Sequence, residues 1–169
     1  MLIQEITKQD SLNRLAHIRL GRLACAQGGQ PYVTPFYFAY DSNYLYSFST
    51  VGQRINWMRV NPLVCVETDQ VVSPEEWVSI IIFGRYEELP DTPEWKRWRE
   101  WAYGLLQKNA MWWEPGYAKT IVQEAERPLV PVYFRIQIVQ ITGHQAATGS
   151  ATEIHAKTST KNPTNHCAR

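Results

Sequence analysis

β-rich runs separated by turn residues fill most of this chain, and they constrain its fold more than any other feature. Six runs are predicted as strands: residues 18–26, 31–40, 44–49, 63–68, 76–88 and 129–142. Helical spacing is confined to residues 7–17, residues 52–60 and the segment that follows residue 93. Because helices do not alternate with strands, the pattern predicts a mainly β protein. A six-stranded split β-barrel with flanking helices fits it better than a doubly wound sheet.

Local signals mark the boundaries of several elements. Gly28-Gly29 stands between two β-rich runs, which is typical of a tight hairpin turn. Thr7 is a capping candidate for the first helix, and Asn61-Pro62 ends the second because proline cannot continue a helix. Thr92, directly before a proline, is predicted as the N-cap of the third helix.

The chain of 169 residues has the usual length of one domain, and we expect residues 1–146 to form it. Residues 147–169 are predicted to be a flexible tail. They are rich in Ser, Thr, Lys and Asn, and Ile154 is their only aliphatic residue larger than alanine. Such a composition buries too little apolar surface to offset the entropy of ordering.

Composition argues against several functional classes. The net charge is +1 and Lys and Arg do not cluster, so nothing supports a nucleic-acid partner. No apolar run reaches the length of a membrane span, and the first 20 residues do not resemble a signal peptide. The three cysteines lack metal-ligand spacing, so no metal site is expected. A reducing cytoplasm is the expected location.

The stretch YLYSFSTVGQRINWMRVNP, residues 44–62, carries the clearest chemical signal. A predicted strand ends in Ser49 and Thr50, the chain turns at Gly52, and a helix begins with Gln53 and Arg54. Hydroxyls, free helix N–H groups and a guanidinium together suit a bound phosphate. The same order also occurs in ordinary helix capping beside a solvated arginine, and no dinucleotide or Walker-type glycine motif is present. These residues alone leave both interpretations open.

Three segments, in this order, resemble the FMN-binding split barrels related to pyridoxamine-phosphate oxidase and the nitroimidazole-resistance flavoproteins. They are RLGRLACAQGGQPYVTPFYFAYDSNYLYSFSTVGQRINWMRVNPLVCVETD, WVSIIIFGRYEELPD and FRIQIVQITGHQA. The resemblance covers about residues 6–147. It implies a homodimer that binds FMN between its subunits and takes a small-molecule substrate.

The resemblance also implies positions for the cofactor. The flavin ring is expected along the backbone of Val33, Thr34 and Pro35. The ribityl chain is expected beside Ser47, Phe48, Ser49 and Thr50. The phosphate is expected at Gln53 and Arg54, where relatives commonly carry two basic residues; Gln53 is neutral, so Arg54 must supply most of the charge.

Two further groups are candidates for contact across the dimer. Trp77, Val78 and Ser79 match a segment that reaches the partner's flavin in relatives. Trp112 and Trp113 are adjacent in a ring-rich loop, where such a pair seals a dimer interface more often than it stacks on a cofactor.

The reaction is less visible in the sequence than the cofactor, because a flavin supplies its own redox chemistry. The resemblance implies an FMN-dependent oxidoreductase acting on a small aromatic or nitro compound, with FAD binding less well than FMN. A non-catalytic module that holds flavin or haem is the alternative. True pyridoxamine-phosphate oxidases carry an additional basic C-terminal segment. Here the chain continues after Thr142 as GHQA and then the polar tail, so that particular activity is not expected.

Overall fold

The computed structural model describes residues 2–108, 120–122, 125–127 and 130–147. These residues form ten strands and three helices. In chain order the elements are β1 (Leu2–Ile6), α1 (Lys8–Leu15), β2 (Leu20–Gln27), β3 (Gln30–Tyr37), β4 (Ala39–Asp41), β5 (Tyr44–Thr50), α2 (Gln53–Val60), β6 (Leu63–Ser73), β7 (Glu76–Glu88), α3 (Lys96–Gln107), β8 (Thr120–Val122), β9 (Ala125–Arg127) and β10 (Pro131–Ala147).

Eight strands form one antiparallel sheet in the order β3-β2-β6-β7-β10-β5-β4, with β1 added to β10, while β8 and β9 pair only with each other. The two end strands, β3 and β4, are separated in the chain by Phe38 alone. The sheet must therefore curl until its ends are neighbours. No ladder joins β3 to β4 within the part of the chain that the structure describes, so the curled sheet stays open there. The predicted mainly β architecture is confirmed, but the sheet has eight strands rather than six.

Several predicted boundaries agree with the structure. The Thr7 side chain accepts a hydrogen bond from the Asp10 N–H at 3.1 Å and caps α1. Gly28 and Gly29 have φ values of 59° and 80°, the left-handed conformation that a two-residue hairpin turn requires and that glycine adopts most easily. The strand predicted over residues 76–88 has the observed bounds of β7.

Other boundaries differ for reasons that lie in tertiary contacts. β1 was not predicted; its five residues, LIQEI, are held by pairing with β10, from Leu2 opposite Ala147 to Ile6 opposite Gly143. The same pairing carries β10 five residues beyond its predicted end. The predicted Thr92 cap of α3 is wrong. Residues 93–95 form a turn in which the Trp95 N–H donates to the Thr92 carbonyl at 3.1 Å, and the helix begins only at Lys96.

Two apolar clusters hold these elements together. The larger fills the interior of the curled sheet and includes Leu23, Phe36, Val66, Ile82 and Phe134, all buried. The smaller lies under α3 and joins its Ala102 to Tyr46 and Leu89. No described helix has both the length and the apolar character needed to cross a bilayer.

Gly84 on β7 shows how closely the strands approach inside the sheet. A Cβ built at Gly84 would lie 2.8 Å from the Gln137 carbonyl oxygen and against the Ile136 side chain. We expect Gly84→Ala to lower the free energy of unfolding by about 1–3 kcal/mol, because the backbone oxygen cannot move aside cheaply. Gly104 on α3 is a matched control, since a Cβ there meets nothing within 4 Å and alanine is the better helix former. Urea denaturation should give shifts of opposite sign, and an unchanged Gly84→Ala protein would contradict this packing.

Candidate functional site

The outer edge of β3 is one wall of the candidate site. β3 is an end strand, and within the described residues it pairs only with β2. The turn at Gly28-Gly29 sets the register of the hairpin, so Pro31, Val33 and Pro35 are the residues whose backbone groups point away from β2. Both prolines lack an N–H and are tolerated at such an edge. Between them, the Val33 N–H faces outward, and the Val33 side chain is exposed.

Arg54, in the first turn of α2, reaches across to this edge. Its Nη1 donates to the Thr34 hydroxyl at 2.9 Å and to the Pro35 carbonyl at 3.1 Å, and its Nη2 donates to the Ser49 hydroxyl at 2.8 Å. The side chain is therefore braced between β3 and β5. Every one of these partners is neutral.

The charge of Arg54 lacks a counterion in the described part of the chain. No carboxylate there lies within ion-pair distance of its guanidinium, whereas Arg22, Arg59, Arg99 and Arg135 each pair with an acid. Burial lowers the pKa of Arg54 from its ordinary value, because a half-buried cation loses hydration that its neutral partners replace only in part. An anion placed here would relieve that cost.

The start of α2 adds a second source of positive potential. Gly52 occupies the N-cap position in extended conformation, and no side-chain hydrogen bond caps the first turn within the described residues. No acidic residue lies in that turn either. The N-terminus of α1, by contrast, is capped by Thr7 and followed by Asp10. The open helix start beside Arg54 is thus a favourable position for a phosphate.

The structure brings several of the predicted cofactor residues together and gives others a different setting. Thr34, Pro35, Ser49 and Arg54 are in direct contact, and Gln53 is exposed beside them. Ser47 is buried, and its hydroxyl donates to the Tyr37 carbonyl at 2.5 Å. Phe48 contacts the Tyr133 ring, with 5.6 Å between centroids. Thr50 ends β5 opposite Pro131.

The second predicted group lies on β7, which carries none of the hydrogen-bond partners of Arg54. Trp77 is at the start of β7, where it pairs with Ala146, and Val78 and Ser79 follow it. The other end of β7 carries Glu88, which binds Arg59 in the last turn of α2. Trp112 and Trp113 lie outside the described residues.

A network at the last turn of α2 holds the helix, and hence Arg54, in place. Arg59 donates to both carboxylate oxygens of Glu88 at 2.7 Å, and the Tyr86 hydroxyl donates to the same carboxylate at 3.0 Å. The hydrogen bonds from Arg59 lower the pKa of Glu88. Burial, followed by the nearby Glu88 charge, raises the pKa of Tyr86, which stays a neutral donor.

The depressed pKa of Glu88 gives a pH-dependent contribution to stability. A carboxyl group whose pKa is lower in the folded state stabilises the fold above its unfolded pKa, here taken as 4.5, and loses that contribution as pH falls below it. Because the pair is partly exposed, we expect Arg59→Gln to cost only about 0.5–1 kcal/mol at pH 7. The difference between the two proteins should shrink in urea denaturation as the pH falls from 5 towards 3. A pH-independent difference would contradict the ion-pair assignment.

The sequence predicted the strand-turn-helix order of this site, but not the hydrogen bonds that hold Arg54 and α2 in place. The partners of Arg54 on β3 lie 20 and 19 residues before it, and no local pattern links them. Glu88 lies 29 residues after Arg59. The position of Pro31 and Pro35 in one strand was the signal that could have identified β3 as an edge.

Together, the fold and this edge define a curled antiparallel sheet, open along one seam, with Arg54 and the start of α2 beside the outer edge of β3. The sequence profile of the Pyridoxamine 5'-phosphate oxidase family matches residues 7–145 of the chain. The chain therefore belongs to that family, as the resemblance of its motifs predicted.

Individual relatives agree with this assignment. The chain is 36% identical over 149 residues to the uncharacterized protein RA0666 of Rhizobium meliloti (strain 1021), covering 88% of this chain and 99% of that protein. It is 40% identical to the crystal structure of a FAD-binding protein, mll6688, from Mesorhizobium loti, with a TM-score of 0.72 over 88% of this chain and 99% of the other. The structure of the FAD binding protein from Mycobacterium smegmatis, at 16% identity, covers 83% and 98% of the two chains with a TM-score of 0.56 and shows the common fold.

Proposed function

We propose that this protein binds a flavin nucleotide, FMN in the first instance, with its phosphate at the N-terminus of α2. The observation that carries the proposal is Arg54, a half-buried cation that lacks a carboxylate partner among the described residues and lies beside an uncapped helix start. A phosphate dianion would supply a counterion for Arg54 and hydrogen-bond acceptors for the free N–H groups at the start of α2. The free edge of β3 then offers the Val33 backbone to the polar rim of the flavin ring.

FAD is the competing cofactor, and the Mesorhizobium loti relative, a FAD-binding protein, favours it. Both flavins share the phosphate next to the ribityl chain, so both can use Arg54. They differ in the second phosphate and the adenosine, for which the surroundings of Arg54 offer no further unpaired cation within the described residues. The neutral Gln53 stands where a second positive charge would strengthen the site. We therefore propose FMN rather than FAD as the bound flavin.

The proposed site includes a second copy of the chain. None of Trp77, Val78 and Ser79 hydrogen-bonds Arg54 in its own chain, and the resemblance implies that they reach the partner's flavin instead. A homodimer brings them to the partner's flavin. Outward-facing apolar side chains support such an interface, among them Leu63, Phe83 and Val139, which are 63%, 48% and 69% exposed. The Trp112–Trp113 pair is proposed to add to it.

As an enzyme, the dimer would transfer an electron pair through the flavin between a nicotinamide donor and a small aromatic or nitro compound. The flavin supplies the redox chemistry, and the protein binds the phosphate, orients the ring along β3 and closes one face of the ring with the partner's residues. No side chain of this chain is assigned an acid or base role in that step.

Purification of the full chain without added cofactor tests the proposal most directly. We expect yellow protein, or protein that takes up FMN with a visible spectrum, and flavin released on denaturation that runs as FMN in chromatography. Light scattering should give the mass of a dimer at micromolar concentration. FAD in the released fraction would replace FMN as the cofactor and leave the phosphate site in place.

Other outcomes would change the proposal itself. Colourless protein that ignores both flavins at high micromolar concentration, yet binds haem tightly, would indicate the haem-binding alternative. A monomer with flavin still bound would exclude the role given to Trp77, Val78 and Ser79. If bound flavin is not bleached by NADH or NADPH, or reduced flavin is not reoxidised by a nitroaromatic acceptor, the protein is a flavin-binding module rather than the proposed enzyme.

A further inference from the structure

A cavity of about 630 Å³ lies at the C-terminal end of α1, and Arg54 is not part of its lining. Ile18, Leu20, Val78 and Ile80 give it apolar walls, while Arg14, Arg19 and Arg22 surround them. None of the groups that hydrogen-bond Arg54 lines this cavity. We call it the arginine pocket. Its volume is that of a small-molecule site, and it combines apolar walls with a few charged groups, as such sites usually do.

The charges around the arginine pocket do not cancel. Arg22 is neutralised by Glu67, at 3.1 Å, and by Asp69, which also lines the pocket. Arg14 donates only to the neutral Gln145 amide oxygen, at 3.0 Å. Arg19 donates from one nitrogen to the carbonyls of Ala16 and Ile18, at 2.7 and 3.0 Å. Within the described residues, two guanidinium groups therefore lack a carboxylate partner.

The chemistry of these walls selects a class of ligand. The remaining N–H groups of Arg14 and Arg19 can donate to an oxyanion, for which a guanidinium has matching geometry. The apolar walls can cover a flat hydrocarbon body. A neutral apolar molecule would leave both cations without a counterion, and an inorganic anion would leave the walls uncovered.

We propose that the arginine pocket binds an organic anion with an apolar, ring-sized body, whose carboxylate lies against Arg14 and Arg19. The inference does not depend on flavin binding at Arg54. Where both hold, Val78 is common to the pocket and to the proposed flavin contacts, which makes such an anion a candidate substrate class.

Calorimetric titration of the full chain as purified tests this inference with 2-naphthoate as the probe. Its neutral counterpart, 2-naphthamide, has the same ring and nearly the same size. We expect naphthoate to bind at least about tenfold more tightly than the amide, because only the acid makes charge-assisted hydrogen bonds. Arg14→Gln should weaken naphthoate binding on the order of tenfold and leave the amide unaffected, and Arg14→Lys should retain part of the preference.

Arg97→Gln is the matched control, because Arg97 is exposed on α3 and lines none of the described cavities. It removes the same charge and should leave naphthoate binding unchanged. Equal affinity for acid and amide, equal losses in Arg14→Gln and Arg97→Gln, or no naphthoate binding at millimolar concentration would each overturn the inference. FMN affinity, measured separately for each variant, should stay at the wild-type value, so a failure of the flavin site is recognised independently.

Discussion

Arg54→Ala is expected to weaken FMN binding roughly 30- to 1000-fold, which corresponds to about 2–4 kcal/mol. In the proposed site the guanidinium is the cation that meets the phosphate, and it is already oriented by Thr34, Pro35 and Ser49 before any ligand arrives. Little ordering entropy is therefore lost on binding. Fluorescence titration of FMN, whose emission changes when it binds, measures the effect.

Riboflavin and two further variants separate the phosphate contact from a structural role. Riboflavin lacks the phosphate, so its weaker binding should be almost the same in the wild type and in Arg54→Ala. Arg54→Lys keeps the charge but cannot bridge β3 and β5, and it should bind FMN with intermediate affinity. Gln53→Lys should tighten FMN binding by adding a second cation at the exposed helix start. Equal weakening of riboflavin and FMN would mean that Arg54 is structural and the phosphate lies elsewhere.

Loss of Arg54 also has a cost in the folded protein, and this cost can be measured independently. Its three hydrogen bonds join α2 to β3 and β5, so we expect Arg54→Ala to lower the free energy of unfolding by about 1–2 kcal/mol without flavin. That exceeds what a solvated first-turn arginine would cost. Urea denaturation of the flavin-free protein checks it, and the FMN titration is interpreted only where the variant is fully folded.

The parts of this protein that the sequence predicted correctly depend on local chemistry. The Gly28-Gly29 turn and the Thr7 cap each follow from a few neighbouring residues. The strand-turn-helix at Ser49–Arg54 was predicted for the same reason. β1 and the last five residues of β10 were not predicted. They pair with each other, and this contact between distant parts of the chain is not visible in either local sequence.

The candidate site likewise contains residues that could be identified from local sequence and contacts that depend on the fold. Arg54 could be identified from its position in the first turn of a helix. Its bracing by Thr34 could not, because the curl of the sheet brings β3 and α2 together. The arginine pocket was missed for a related reason. Arg14, Arg19 and Arg22 are close in sequence, but a cavity exists there only because Val78 and Ile80 on β7 lie opposite them.

Arg135 on β10 is a second arginine in unusual surroundings, because it is buried among aromatic rings. It is 8% exposed, lies beneath α3, and its Nε donates to the Glu87 carboxylate at 2.5 Å. Three rings surround the guanidinium: Tyr44 at 4.3 Å, Trp98 at 4.7 Å and Trp95 at 5.8 Å from its central carbon. Trp98 belongs to α3 and Trp95 immediately precedes it, whereas Tyr44 belongs to β5. One cation thus connects the helix to the barrel.

Arg135→Ala is accordingly expected to lower the free energy of unfolding by about 2–4 kcal/mol. The change removes the cation from the three rings and opens a space under α3, whereas the Glu87 side chain, which is 40% exposed, is hydrated in place of its lost partner. Arg97→Ala is the matched control, because Arg97 is exposed and touches one ring from 6.0 Å; it should cost no more than about 0.5 kcal/mol. Urea denaturation at one fixed protein concentration compares the variants under the same conditions of any subunit association. Arg135→Lys should fall between them, since an ammonium group keeps the charge but stacks less well on the tryptophans. A loss below about 1 kcal/mol for Arg135→Ala would mean that other contacts of α3, such as those of Ala102 with Tyr46 and Leu89, hold the helix and that the aromatic cluster contributes little.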